Sequence, residues 1–564
     1  MPHVDIDISE ERKRLIHQGE LPEWFITPGW KTFKNKYLYE SVGIRGHFER
    51  IADTLSQYMV GKEDVWYERF YDLLWSGDYS ASSPVLANTG TDRGFTVSCA
   101  GNVLGDSVDD FYQSQHEIAM LSKMGFGTSS YMGDIRARGS TFGTDGVCDG
   151  VWPQIRAHNQ VAKDISQGST RRGQWAGYLP ISHGDFWEVA KNIHNNPGYN
   201  IGWVISKDDI DKLKIGEEET TKRWQQVLYT RTHKGKGYIF KVDHANDQRP
   251  QMYVDKGLYV KASQLCTEIS LFSDLEHTYS CVLGSLNLNN WDRIRGTNKI
   301  FYATVMTDCI VSDFLKRSEG CPGFEKIRRF TEKSRALGIG VLGWHSWLIK
   351  NKIPFYTLRA HMENNAIFEE IQRETLKASK WLAKEKGEPE WCKGYGVRNT
   401  HRTAIAPTKT SSLICGGQTE GIQPMLGNIY SDDLAGGSVT RIQPHLIEIL
   451  KQKGKYNKTY TRKIVEDRGS VQNNDLFSQS EKDLLRTAYE IPQDVILNMA
   501  SSRQKYLCQT QSLNLHFFGD ADPEYISRIH SKALLDPRII SLYYQRSTQA
   551  SVGSTDLDAC DACQ

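Results

Sequence analysis

The sequence predicts an α/β protein: a mainly helical start, a large mixed core and a polar tail. Three observations predict it. Residues 1 to about 80 are aromatic-rich and carry helical apolar spacing; from there to about 345 helical periods alternate with short apolar runs; and from about Arg546 the residues turn small and polar without periodicity. At 564 residues the chain exceeds what a single small core needs, so one large α/β unit with appended segments, or two to three domains, is expected.

The elements follow in order. The run from Gly46 to Met59 is amphipathic at helical spacing. Ser82 to Thr91 is rich in turn formers and leads to Ser98-Cys99. Ser107, with Asp110 three residues on, approximates a helix-start box for a run reaching Leu121, although Asp stands where Glu or Gln is usual. Tyr199–Ile205 and Gly237–Val242 read as strands, and strands separated by helices favour a parallel-type sheet or barrel. The two-residue step from Cys266 to Glu268 puts both side chains on one face if that segment is extended. Cys281 lies in an alternating apolar run that would bury it. No repeat or low-complexity block interrupts this order.

Composition excludes several classes. Hydrophobic residues make up 39% and charged residues 24%, and Lys+Arg 69 against Asp+Glu 68 leaves a net charge of +1, so no global field would hold a nucleic-acid polymer or a membrane surface. No leader-like start and no long uninterrupted apolar run is present, so work in the cytoplasm is expected. Eleven cysteines, an odd number spread over the chain, do not resemble a disulfide framework and read as thiols.

Two signals near the C-terminus point to redox chemistry. The adjacent Tyr543 and Tyr544 can pass an oxidising equivalent, and Cys560 and Cys563 on a polar tail can carry two reducing equivalents. Half of a zinc site is the competing reading of that cysteine pair, but no second Cys-x-x-Cys exists to complete it. Pro407–Ser412 gathers hydroxyls and main-chain N–H groups into one turn, a nest suited to an anion.

Ordered motifs then carry a resemblance. Ser98-Cys99, Gly105-Asp106-Ser107, Ile135–Ser140, Asp164–Gly173, Gln264–Glu268, Cys281–Asn287, Ala406–Ser412, Leu542–Tyr544 and the terminal cysteine pair resemble, in sequence order, the large catalytic subunit of class I ribonucleotide reductases. The resemblance covers the chain from about Ser82 onward. It implies a barrel of roughly ten strands with a central finger loop over residues 81–545, after a helical segment at 1–80 and before a redox-active tail at 546–564.

The resemblance also implies roles. Cys266 becomes a thiyl radical that abstracts the ribose 3′ hydrogen, and Glu268 takes the 3′-OH proton as the 2′-OH leaves as water. Cys99 and Cys281 supply the reducing electrons and end as a disulfide, which Cys560 and Cys563 reduce. Such a pair must bring its Cα atoms within roughly 4.4–6.8 Å. From Tyr544 to the tail cysteines is a reach of roughly 25 Å as a coil. Tyr543 and Tyr544 relay the oxidising equivalent from a separate subunit. No Glu-x-x-His pattern for a di-metal centre occurs here, so a ferritin-like metal-radical small subunit is the implied partner, and no metal or tightly bound cofactor is expected in this chain.

Ser83, Ser98, Thr408, Lys409, Thr410 and Ser411 match substrate-binding positions. Asp106, Ser107, Lys123, Arg136 and Arg138 match positions that hold a dNTP or ATP effector with its Mg2+, and Gln167, Arg171 and Arg172 lie in the loop that reports effector identity to the substrate. A homodimer is implied, as is a thioredoxin or glutaredoxin reductant. Gln264 stands where the family usually has Asn, which keeps the amide but lengthens the arm. No segment resembles the N-terminal ATP-cone, so no dATP shut-off through such a domain is expected. The cobalamin-dependent class remains an alternative, in which the tyrosine pair is unnecessary. No Arg-x-x-Gly-Tyr-like segment appears near the end, which disfavours the glycyl-radical class, and a catalytically silent nucleotide-binding regulator is disfavoured by the retained cysteines and Glu268.

Overall fold

A computed structural model describes residues 3–39, 43–165, 173–196, 198–434 and 437–548. Four helices open the chain: His3–His17, Thr27–Lys36, Ile44–Ser56 and Glu63–Trp75. They pack around Phe25, Trp30, Phe33 and Phe48, whose rings meet edge to face. The amphipathic spacing at Gly46–Met59 is realised as the third helix, with Phe48, Ile51, Ala52 and Leu55 on its buried stripe. No helix among the described residues is long and apolar enough to cross a membrane.

Nine strands form one curled sheet: β1 (Tyr79–Ala81), β2 (Cys99–Val103), β3 (Gly127–Tyr131), β4 (Gln174–Pro180), β5 (Asn200–Ile205), β6 (Tyr238–Lys241), β7 (Tyr279–Asn287), β8 (Leu337–Leu342) and β9 (Ser541–Leu542). β2 to β6 are parallel in sequence order. Beyond β8, parallel bridges at Ile339↔Thr403 and Ile405↔Gln511 carry the pairing outward. Tyr543 N then donates to Leu513 O at 2.8 Å, which brings in the segment that begins with β9. The ring is thus two parallel halves that meet at antiparallel seams, β2 against β7 and β6 against β9. Eight of these strands and two segments too irregular to register as strands, Thr403–Ile405 and Gln509–Gln511, make up the ten that the resemblance implies; the ninth strand, β1, adds antiparallel to the end of β7.

Strands buried on both faces read as continuous apolar runs, and β7 is buried at all nine positions. Small residues let large neighbours cross the sheet: a Cβ on Gly101 would meet the Tyr279 ring at 2.1 Å. Between the helix Gln251–Asp255 and β7 the chain forms no regular element, yet Val260–Leu271 is buried almost throughout. This is the loop that enters the barrel.

Three local expectations change. Ser82–Thr91 is not a string of turns, because Pro84 in the first turn helps set the helix Ser83–Asn88. Cys266–Glu268 is not extended: with no neighbouring strand to pair, the loop reverses, Thr267 N donates to Gln264 O at 3.1 Å, and Thr267 takes φ +69°. Order also runs past Arg546, since Gln545–Ser547 pairs in parallel with Leu515–Phe517. Gln167, Arg171, Arg172, Cys560 and Cys563 lie outside the described residues.

Candidate active site

The two seams set the site. At the first, Cys99 and Cys281 are direct partners in the antiparallel ladder. Such partners lie roughly 4.5–5.5 Å apart at Cα, within disulfide reach. Both are buried, and neither is in a disulfide. Burial pushes the Cys281 thiol well above its usual range; Cys99 and Glu268 nearby push the same way, and an N–H from Gln509 opposes them.

At the second seam, β9 delivers Tyr543 and Tyr544 into the interior. Their rings lie 3.9 Å apart, centroid to centroid. The Tyr543 hydroxyl is 3.5 Å from Cys266 Sγ. Tyr238, on β6, donates from its hydroxyl to that of Tyr544 at 3.4 Å, and its ring centroid is 5.0 Å from that of Tyr543. Three phenols therefore gather beside Cys266.

The finger turn is held by the barrel wall, because its backbone has no ladder of its own. Ser129 donates to Ser263 O at 3.1 Å, Tyr178 to Gln264 O at 2.5 Å, and Thr510 N to Glu268 O at 3.1 Å. Ser270 N donates to the Gln509 side chain at 3.2 Å. These anchors bring Cys266 into one continuous buried cluster with Cys99, Cys281, Tyr543 and Tyr544. Glu268 is fully buried, and burial raises its carboxyl to about 8, with its own backbone N–H and the Gln264 amide pulling the other way. Neither carboxylate oxygen reaches a hydrogen bond of normal geometry, a costly state for a buried acid unless a ligand completes it.

The predicted substrate residues are buried along the rim. The Ser83 hydroxyl is 2.7 Å from the Tyr37 hydroxyl, and the Ser98 hydroxyl accepts from Cys99 Sγ at 3.6 Å. Thr408 caps the short helix Lys409–Ile414, and its Oγ1 accepts from Gly421 N at 2.7 Å. Lys409 pairs with Asp432 at 2.9 Å; Asp432 and Glu420 also hold the buried Arg441. Thr410 and Ser411 lie in the same helix and are buried.

The predicted effector residues divide into two places. Ser107 caps the helix Val108–Lys123, accepting from Asp110 N at 3.1 Å. Asp106 pairs with the Arg136 guanidinium and accepts Arg136 N at 3.2 Å. Arg138 makes a two-pronged pair with Glu188 at 2.9 and 3.0 Å. Lys123 stands at the far end of this helix, about 24 Å away at 1.5 Å per residue. It does not join Ser107 within one chain.

Sequence reasoning missed Tyr238, Gln509 and Arg441. Tyr238 was readable as part of a strand but not as a neighbour of residues three hundred positions away. Gln509 sits in the polar run Gln509–Ser512, all four buried, which without the fold reads as a loop.

Comparison with known proteins returns one family. The ribonucleotide reductase barrel domain matches residues 97–198, 206–394 and 390–535, and the ribonucleotide reductase all-alpha domain matches 25–94. A ribonucleoside-diphosphate reductase large subunit of Invertebrate iridescent virus 3 is 29% identical over 96% of this chain and 95% of its own. The ribonucleoside-diphosphate reductase large subunit of Danio rerio is 27% identical over 92% of this chain and 75% of its own. Among solved structures, the Actinobacillus ureae class Id ribonucleotide reductase alpha subunit superposes with a TM-score of 0.86 at 34% identity, covering 96% of this chain and 99% of that one.

Proposed function

The chain belongs to the ribonucleotide reductase large-subunit family, and on that premise we propose that it is the catalytic subunit of a ribonucleoside-diphosphate reductase, converting ribonucleotides to 2′-deoxyribonucleotides. One observation carries the reading: an in-register thiol pair, a third thiol under a tyrosine pair, and an unsatisfied buried carboxyl converge inside one barrel.

The chemistry follows from those groups. A metal-radical small subunit supplies the oxidising equivalent. Tyr544 and Tyr543 pass it inward, and the contact at Cys266 Sγ suits hydrogen-atom transfer from the thiol to the phenoxyl. The Cys266 thiyl takes the 3′ hydrogen and returns it at the end. Glu268 in its ionised form accepts the 3′-OH proton; a carboxyl near 8 keeps both forms within reach of neutral pH, and the substrate hydroxyl supplies the partner its oxygens lack. The 2′-OH leaves as water while Cys99 and Cys281 give two electrons and two protons and join as a disulfide. Cys560 and Cys563 reduce that disulfide by exchange, and thioredoxin or glutaredoxin reduces them.

Lys409 and Thr408–Ser411 face the substrate phosphates in this reading, with Lys409 released from Asp432 when an anion enters. Asp106, Ser107, Arg136 and Arg138 hold the effector. Because Lys123 is a helix length away, it serves the effector site of a second chain, which requires a dimer. Val108 and Tyr112, at 69% and 68% exposure on this helix, supply apolar surface for that contact.

The test is CDP reduction by the purified chain with a metal-radical small subunit, a dNTP effector and a dithiol reductant. Wild type turns over, Cys266→Ser is silent but still binds effector, and Tyr544→Phe loses multiple turnover. Activity with adenosylcobalamin and no small subunit would overturn the class I reading.

A further inference from the structure

The sulfur of Cys281 has more specific surroundings than burial in a sheet requires. On one side, Gly338 of β8 presents a bare Cα, and a Cβ there would meet Cys281 Sγ at 2.9 Å and Leu283 Cδ2 at 2.6 Å. On another, the Gln509 side-chain amide donates to Cys281 Sγ at 3.5 Å and to Leu337 O at 3.0 Å. The carbonyl end of the same amide accepts Ser270 N, two residues beyond Glu268, at 3.2 Å. Gln509 is itself fixed, since its backbone N donates to Thr403 O at 3.1 Å and its carbonyl accepts from Gln504 Nε2 at 2.7 Å. One buried side chain thus touches β7, β8 and the finger turn.

We propose that Gln509 is a positioning residue of the deoxygenation reaction, its N–H holding the Cys281 sulfur toward Cys99 and favouring its anionic form while its carbonyl holds the Cys266–Glu268 turn in register with the thiol pair. The inference rests on the function proposed above. In the reducing step both thiols lose a proton, a sulfur–sulfur bond forms, and two electrons pass to the substrate radical. Sulfur bears negative charge as the bond forms, and a fixed N–H donor stabilises that charge without needing to reorganise. Gln509 reaches Cys281 across β8, and Gly338 keeps a side chain out of the space beside the sulfur.

The test uses Gln509→Met, which keeps length and bulk but removes both donor and acceptor, and Gln509→Glu, which keeps shape and acceptor. The rate of Cys281 alkylation in the full chain is followed by peptide mass spectrometry at each pH from 6 to 10, without small subunit or substrate, because below the thiol's raised titration that rate follows the thiolate fraction. Loss of a hydrogen bond to the charged sulfur shifts the Gln509→Met profile upward by about one pH unit or more. Gln509→Glu shifts at least as far, because a carboxylate repels a thiolate. In turnover with the small subunit, Gln509→Met lowers kcat about tenfold or more with KM little changed. Superimposable alkylation profiles for folded wild type and Gln509→Met overturn the inference whatever the activity. A shifted profile in a chain that never reduces CDP leaves the donor role standing and removes the function it was built on.

Discussion

At the scale of the residue, Glu268 shows how a site is built against its own stability. Its carboxyl titrates at about 8 in the fold against roughly 4.3 in an unfolded chain. Between those values the folded protein holds the proton and the unfolded chain has released it. The stabilising contribution is therefore complete below the unfolded value and is lost as pH rises through the folded one. Glu268→Gln removes the titration. Its melting temperature should match wild type near pH 5 and exceed it above pH 8, a gap worth on the order of a few kcal/mol. Parallel melting curves from pH 5 to 9 would disprove this. Thr267 adds a second cost: a β-branched residue at φ +69° stores roughly 1–3 kcal/mol of strain. That strain turns Cys266 and Glu268 inward where an extended strand would not. The sequence brought out both residues through the Cys-x-Glu step, whose shared face held only if the segment were extended; this loop has no strand to pair with and turns instead.

At the scale of the element, a buried polar chain ties the helix Val108–Lys123 to the strands carrying the thiol pair. Glu117 accepts from Thr278 Oγ1 at 2.5 Å and Asn102 Nδ2 at 3.0 Å; Ser130 donates to Asn102 Oδ1 at 2.7 Å, and Trp175 Nε1 to Ser130 at 3.0 Å. Asn102 follows Cys99 on β2, and Thr278 immediately precedes β7. Burial raises the Glu117 carboxyl, with Thr278 and Asn102 pulling it back. Glu117→Leu leaves two buried donors unanswered and should cost about 2–3 kcal/mol in denaturant unfolding. Thr278→Val added to it should cost less than the sum; strict additivity would contradict a shared network. Such links join positions far apart in the chain, so the sequence does not reveal them. The Ser107 cap was legible because its partner lies three residues away. The pairing of Cys99 with Cys281 was legible only through resemblance, since nothing local connects residues so distant.

At the scale of the molecule, the barrel explains why the chemistry needs so long a chain. Each seam contributes one half of it, thiols at one and tyrosines at the other, with the finger turn between them. In the proposed dimer the helix Val108–Lys123 plays a comparable part between two molecules. Tyr112→Glu should weaken self-association and effector affinity together, by about tenfold each, in sedimentation runs with and without dNTP. Unchanged effector affinity in a strictly monomeric variant would contradict the shared site. The ten-segment ring was readable from resemblance, whereas its irregular members were not, because Thr403–Ile405 and Gln509–Gln511 pair by isolated bridges that leave no strand pattern.

The second seam has a further consequence for how the protein comes into being. β6 lies about three hundred residues before its antiparallel partner Ser541–Leu542, so it is made well ahead of the strand that covers it. Until then that edge lies open and can recruit a foreign strand. The tyrosines arrive with the closing strand, so before it docks Cys266 lacks the phenol contact on which the proposed relay depends. On the proposed reading, closing the barrel and connecting the thiol to an oxidant are then one folding event.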